Sequence, residues 1–254
     1  MSRRKFPGRI GWLVIIVLII GGVYFLGSPF TFKASPAGSP SAISQAVDDL
    51  PSLADKPQPS EITFLGCPPQ GQGGDTQLNV LKNRVDQGNY ISVAFDSLVA
   101  LRWPKSTEQQ VMNDWSTASL AFISQYQGMP IVLEGYLLSA KEAPPDPANC
   151  NRNNGANVDW NLSVSKNAGD DPSLGVMAQI TPRIRALHKW TLDAIRTSAI
   201  FSQAQVRISG WLLFNSDHPG EVGRTRATLW EIHPVMEIEV LQNGHWLSLD
   251  RLSP

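Results

Sequence analysis

The chain has 254 residues, of which 42% are hydrophobic and 17% are charged, and this composition excludes a disordered chain and a collagen-like fibre. Four of the 21 basic residues precede the first long apolar run, so 17 remain against 22 acidic residues in the rest of the chain. This excess of acid argues against a protein that coats the phosphates of nucleic acid.

The N-terminal segment has the pattern of a membrane anchor. Residues 10–32 contain no ionisable side chain apart from Tyr24, and about 20 apolar residues are enough to cross a bilayer. Basic residues cluster within residues 3–9, whereas only Lys33 follows the apolar run. By the positive-inside rule, residues 1–33 are therefore expected to form a cytoplasmic tail and transmembrane helix, with the remaining chain extracytoplasmic.

A cleaved signal peptide is the alternative interpretation. The acceptable small-residue cleavage site, Ser35-Pro36-Ala37, lies far from an apolar run that is itself longer than a signal peptide needs, so the pattern favours an anchor. Residues 34–60 are rich in Pro, Ser and Ala and are expected to be a semi-extended linker.

Residues 61–128 are expected to form a helical extension. Leu78, Leu81 and Val85 recur at helical spacing and predict a helix over residues 75–86, capped by Asp75 or Thr76. A second helix is expected over residues 117–127, which end before a glycine.

The chain contains only two cysteines, Cys67 and Cys150, and neither has a partner at metal-ligand spacing. In an oxidising compartment two cysteines in polar loops most simply form a disulfide bond with each other. Two unpaired thiols are the alternative, because spacing alone does not determine pairing.

Residues 129–254 are expected to form a mainly β domain. Apolar and polar side chains alternate in five segments, which predict strands, and a helical period separates the third segment from the fourth. The predicted strands cover residues 131–137, 158–165, 176–181, 205–214 and 227–241, and the helix covers residues 183–201. On the last strand, Glu231 and His233 are expected to point outward, and Pro234 requires an edge or a bulge.

Three strands, a helix and two strands are the element order of the five-stranded OB barrel. The first and fourth predicted strands also share the pattern aliphatic, polar, Gly, aromatic, Leu, Leu, with the glycines at Gly135 and Gly210. These strands pair in an OB barrel, where a glycine allows two backbones to approach closely. The expected fold is therefore an OB-like barrel preceded by a transmembrane helix and a short helical extension. An open sheet with a packed helix would give the same element order.

Several stretches resemble a family of uncharacterised bacterial membrane-anchored proteins. They include LNVLKNR at residues 78–84 and TLWEIHPV at residues 228–235, and the resemblance covers roughly residues 67–240. It implies no activity and no catalytic residue.

The ligand face of an OB barrel lies on its second and third strands, between the loops that join strands one to two and four to five. Here these loops are long and polar and cover residues 144–157 and 215–226. The expected face lacks the aromatic side chains on which single-stranded nucleic acid stacks. Candidate ligand-binding residues, for a small anionic ligand or a protein partner, are Asp159, Asn161, Arg183, Arg224 and Arg226.

Two functions remain open from the sequence. The first is a membrane-anchored binding or assembly module that needs no cofactor or metal. The second is a metal-dependent hydrolase that uses a carboxylate and imidazole cluster of Asp217, His218, Glu231 and His233. No HExxH, GxSxG, P-loop or GxGxxG motif favours catalysis.

Overall fold

The computed structural model describes residues 62–253. The predicted anchor at residues 1–33 and linker at residues 34–60 lie outside these described residues. Within residues 62–253, no helix combines the length and the apolar character needed to cross a membrane.

Residues 62–128 hold three short helices: α1 (Thr76–Lys82), α2 (Phe95–Ala100) and α3 (Thr117–Ser124). Asp75 caps α1 as predicted, because its carboxylate accepts hydrogen bonds from the backbone nitrogens of Gln77 and Leu78. A three-residue strand, not predicted, lies between α1 and α2.

The described residues also form seven strands and a last helix. They are β1 (Ile91–Val93, before α2), β2 (Pro130–Glu142), β3 (Trp160–Ser165), β4 (Val176–Ile180), β5 (Gln205–Phe214), β6 (Trp230–Gln242), β7 (His245–Ser248) and α6 (Leu249–Leu252). Two short helices, α4 (Pro182–Arg185) and α5 (Leu192–Ile195), lie between β4 and β5.

Five of the strands close into a barrel. Strand β2 pairs with β3, β3 with β4, and β5 with both β6 and β2, all antiparallel, while a parallel pairing of β4 with β6 completes the ring. The prediction of a closed five-stranded barrel is confirmed. Strand β1 adds to β2 in parallel, and β7 forms a hairpin with β6.

The two predicted strand glycines allow the closure. Gly135 and Gly210 both lie in the β2–β5 ladder, opposite Val206 and Ile131 respectively. A Cβ atom on Gly135 would collide with the carbonyl of Ser165, and one on Gly210 would collide with the carbonyl of Pro234. Neither position can therefore carry a larger residue without a shift of the neighbouring strand.

Pro234 lies at an irregularity of the β5–β6 ladder, as its missing backbone donor requires. Gly210 pairs with Val235 and Leu212 with Ile232, so two residues of β6 stand opposite the single residue between them on β5. The resulting bulge includes His233 and Pro234.

The predicted helix over residues 183–201 is interrupted. Helix α4 ends at Arg185, and α5 begins only after Thr191, whose side chain caps it by accepting a hydrogen bond from the backbone of Ala194. Residues 196–201 continue α5 as a π-helical segment. A second cap inside a periodic segment starts a new helix, which the apolar period alone does not reveal.

Alternating side chains of all five strands belong to one hydrophobic core, which also contains two completely covered tryptophans, Trp211 and Trp230, at most 1% exposed. Burying a large apolar side chain stabilises a fold by roughly 1.5–3 kcal/mol, so this core accounts for the closed shape. The predicted disulfide is confirmed: Cys67 and Cys150 are bonded and tie the extension to the β2–β3 loop.

Candidate functional site

A groove of about 840 Å³ crosses the outer face of β3 and β4. Its floor consists of outward side chains of β2, β3 and β4: Ser139, Lys141, Asn161, Ser163, Met177 and Gln179. The β2–β3 loop forms one wall, and the β5–β6 loop forms the other. The groove thus lies on the face, and between the two loops, that the sequence indicated as a ligand site.

Strand alternation places the floor residues on this face. Trp160, Leu162 and Val164 are buried in the barrel core, so the intervening Asn161 and Ser163 point to the other side of β3. Asn161 pairs with Gln179 on β4 and with Lys141 on β2, and Ser163 pairs with Met177 and Ser139, so the floor is two adjacent rows across three strands.

The lining of the groove is acidic. Two basic side chains, Lys141 and Arg226, and one imidazole, His218, line it. None of the described lining residues is a phenylalanine, tyrosine or tryptophan. The acidic side chains are Glu142, Asp146, Asp159, Asp217 and Glu221.

A chain of ion pairs leads from the β5–β6 wall into the protein. We call it the buried ion-pair chain and define it as Glu221, Arg226, Glu231 and His233. The Nε atom of Arg226 lies 3.1 Å from an oxygen of Glu221, and its Nη1 atom lies 3.2 Å from an oxygen of Glu231. Oε1 of Glu231 lies 3.2 Å from Nδ1 of His233. Glu221 is half-exposed, whereas Glu231 and His233 are fully buried.

Asp159 lies beside His233, the last residue of the buried ion-pair chain, and also lines the groove. Its Oδ1 accepts a 2.7 Å hydrogen bond from Asn149, but its Oδ2 lies 3.7 Å from Nε2 of His233, which is too far for a hydrogen bond. Nε2 of His233 has no hydrogen-bond partner among the described residues. Asp159 is 1% exposed and still lines the groove.

The pKa values of the two buried carboxylates of this region are shifted in opposite directions. Burial by itself raises the pKa of Glu231, but the hydrogen bond from His233 and the charge of Arg226 outweigh it and lower the pKa to about 2. Burial also raises the pKa of Asp159, and the attraction of His233 offsets only part of that effect. Because an ionised Glu231 can only accept, we assign the proton on His233 to Nδ1.

Lys82 supports the β2–β3 wall from beneath. Its ammonium lies 3.2 Å from Asp146, and the lysine is 6% exposed. Burial lowers the pKa of Lys82, but the negative charges of Asp146, Glu231 and Asp159 together raise it by more, so the net shift is upward. The charge of Lys82 is thus retained and helps to hold Asp146 in the wall.

Three of the five predicted ligand-binding residues, Asp159, Asn161 and Arg226, line the groove. Arg183 is elsewhere: its guanidinium donates to the backbone oxygens of Ile62, Cys67 and Pro68 and so ties residues 62–68 to helix α4. Arg224 is exposed and does not line the groove. Arg226 lines the groove, but its guanidinium is already paired with the carboxylates of Glu221 and Glu231. The structure therefore does not assemble the predicted cationic clamp for an anion.

The four predicted catalytic residues do not form one cluster. Asp217 and His218 line the groove, and His218 lies 3.1 Å from Glu221. Glu231 and His233 were expected to point outward and are instead completely buried. Helix α1 packs against β6, so both faces of this strand are covered there. Within residues 62–253, no group of three or more His, Cys, Asp or Glu side chains is arranged to hold a metal ion.

Sequence reasoning missed several groove residues, namely Glu142, Asp146, Ser163, Met177 and Glu221. Ser163 and Met177 could have been found, because alternation places them beside Asn161 and Gln179 on the same face. The acids of the two walls carry no comparable signal, since a charged loop residue is most often simply solvated.

Comparison of the chain with protein-family models, with curated proteins and with solved structures found no match in any of the three. The function must therefore be argued from the groove itself.

Proposed function

We propose that this protein is a binding or assembly module whose ligand occupies the groove over β3 and β4. One observation carries the proposal: a polar-floored groove of about 840 Å³ lies between two long loops on one face of a closed barrel. Ligand sites are typically concave, with volumes of roughly 300–1,000 Å³ and a few converging polar groups. Loops held by a rigid scaffold are the usual carriers of binding residues.

The barrel is proposed to be OB-like. Its strands run in the ring order β2, β3, β4, β6, β5, and the helical segment lies between β4 and β5. An OB barrel binds its ligands on the equivalents of β3 and β4, between the two loops that wall this groove. The acidic lining without aromatic side chains argues against nucleic acid as the ligand.

The module is proposed to be held at the outer face of a membrane by residues 1–33, with residues 34–60 as the linker. The apolar run and the basic residues before it support this orientation. The Cys67–Cys150 disulfide supports an extracytoplasmic location, because such bonds persist in oxidising compartments. Resistance of the full chain to extraction from membranes by alkaline carbonate would support the anchor, and release into the soluble fraction would contradict it.

Methionine methyl groups offer a direct test of binding. Met177 lies in the groove floor, whereas Met129 and Met236 are buried in the barrel core. We would record methyl spectra of the full chain, labelled with ¹³C at methionine, in nanodiscs of zwitterionic lipid. Four probes would be added separately: a basic peptide, an acidic peptide, an oligothymidylate and a neutral oligosaccharide.

The expected result is that at least one probe shifts the Met177 signal saturably and leaves those of Met129 and Met236 in place. Gln179→Ala should weaken that response, because Gln179 is part of the groove floor. Gln242→Ala, at the far end of β6, is the matched control and should not. If none of the four probes moves the Met177 signal, the binding-module proposal fails.

A further inference from the structure

Three side chains in the groove have acceptor atoms that lack a hydrogen-bond partner among the described residues. The Oδ1 atom of Asn161 and the Oγ atom of Ser163 are buried and have no hydrogen-bond partner among residues 62–253. Ser163 is only 6% exposed, so bulk water does not replace the missing partner. Buried polar atoms are normally paired, and each exception calls for an explanation.

Asp159 is the third such group. No lysine or arginine nitrogen of the described chain lies within 4.0 Å of its carboxylate, and His233 is beyond hydrogen-bond distance. A buried carboxylate without a cationic partner is unfavourable, and a cation brought by a ligand would relieve that cost. The groove wall thus offers an acidic position that has no lysine or arginine partner among residues 62–253.

The charge balance of the lining points the same way. Five acidic residues face Lys141 and Arg226, and Arg226 is already engaged by Glu221 and Glu231. Glu142 and Asp217 are exposed on opposite walls of the groove. A groove lined by one sign of charge attracts and retains ligands of the other sign.

The spacing of the acceptors favours an extended chain over a single small cation. Asp159, Asn161 and Ser163 are alternate residues, so they repeat at about 6.6 Å along the strand direction. The backbone oxygen of Asp159 still accepts a 2.8 Å hydrogen bond from Ala143, so the extended geometry continues to this residue. Alternate residues of an extended peptide repeat at the same distance, so their donors can meet all three acceptors.

We propose that the groove takes an extended, lysine- or arginine-bearing peptide segment of a partner protein. This inference rests on the proposed binding function and names its ligand class. A cationic side chain pairs with Asp159, while further donors of the segment reach Asn161 and Ser163. Glu142 and Asp217 add attraction from the two walls.

The test uses the full chain in nanodiscs of zwitterionic lipid and an eight-residue peptide of alternating lysine and serine. The matched probes are the corresponding glutamate and serine peptide, and spermine. Binding would be measured by calorimetry and by the Met177 methyl signal at low and at physiological salt. The lysine peptide should bind and shift Met177, with weaker affinity at the higher salt concentration.

Variants locate the contact. Asp159→Asn should weaken binding about tenfold, as expected for loss of a charge-assisted hydrogen bond of about 1.4 kcal/mol. Ser163→Ala should weaken it by a smaller factor while leaving the charge unchanged. The control is Asp114→Asn combined with Asp193→Asn, which removes two exposed charges away from the groove and should leave the affinity unchanged.

Four results would overturn the inference. They are no binding of the lysine peptide, binding of the glutamate peptide in its place, equal weakening by the control variant, and displacement of the peptide by an equal concentration of spermine. The second result would leave the binding-module proposal intact with the opposite ligand charge. Displacement by spermine would favour a free polyamine over a peptide segment. Both proposals fail only if no probe shifts the Met177 methyl signal.

Discussion

Glu231 and Asp159 are buried carboxylates on either side of the same imidazole, and each accepts a hydrogen bond from an asparagine, but their charged partners differ. Glu231 accepts from Asn215, pairs with Arg226 and contacts His233 at 3.2 Å. Asp159 accepts one hydrogen bond from Asn149 and stands 3.7 Å from His233. Glu231 thus has both hydrogen-bond and ion-pair partners inside the protein, whereas Asp159 has no lysine or arginine partner among the described residues and lies beside a groove.

The difference separates a structural acid from a candidate binding acid. Glu231 holds the β5–β6 loop to the barrel through Arg226, and its low pKa reflects the partners that stabilise its charge. The raised pKa of Asp159 reflects burial without equivalent partners. Groups whose pKa is strongly perturbed by their environment concentrate at functional sites.

The largest effect is expected from Glu231→Ala. It leaves Arg226 and His233 buried without their carboxylate, and breaking a buried pair in this way costs roughly 3–5 kcal/mol. Urea denaturation should show a loss of that size in the free energy of unfolding. Glu237→Ala, on an exposed position of the same strand, is the control and should change it by less than about 0.5 kcal/mol. A similar loss in both variants would contradict the structural role.

The acid limb of the stability curve should depend on Glu231. Its pKa is about 2 in the folded protein and about 4.5 in the unfolded chain. Its contribution is therefore complete above pH 4.5 and is lost as the pH falls from there toward 2. Urea unfolding at a series of pH values should show a shallower loss over this interval in Glu231→Gln than in the unchanged protein. Parallel curves would show that Glu231 does not titrate as assigned.

Double-mutant cycles would measure the two contacts of His233 on one scale. The cycle of Glu231→Gln with His233→Gln should give a coupling energy of about 1–3 kcal/mol, in the range found for hydrogen bonds to charged groups. The cycle of Asp159→Asn with His233→Gln should give less than about 1 kcal/mol, because 3.7 Å is beyond hydrogen-bond distance. Equal couplings would mean that the two acids are equivalent.

The smallest effect, of opposite sign, is expected for Asp159→Asn. Because the folded pKa of Asp159 is raised, the cost of its charge is absent at low pH and develops as the pH rises above the unfolded value of 3.8. The variant should therefore be about 1 kcal/mol more stable than the unchanged protein at pH 7, and the gain should disappear at low pH. Destabilisation at pH 7 would show that Asp159 has partners as effective as those of Glu231.

Much of the barrel was predictable because alternation and element order report on local burial. All five strands, the Gly135 and Gly210 ladder and the disulfide followed from the sequence. The orientation of Glu231 and His233 did not, because alternation shows which residues share a face but not whether a loop or helix covers it. Helix α1 and the β5–β6 loop cover that face of β6, and these contacts are long-range.

The groove itself was predictable only in position. Strand register placed Asp159 and Asn161 on its face, but its acidic character comes largely from loop residues such as Asp146 and Glu221 that only the fold brings together. The expectation of an anionic ligand rested on the arginines, and the structure shows Arg183 and Arg226 engaged with oxygen atoms of the protein itself. A sequence counts charges, whereas only the fold shows which of them are already neutralised.

The disulfide has a consequence for the groove. Cys150 directly follows Asn149, whose side chain donates a hydrogen bond to Asp159. The covalent link therefore limits the positions open to the donor that orients this carboxylate. We therefore expect reduction of the disulfide to loosen this loop and to weaken the hydrogen bond between Asn149 and Asp159.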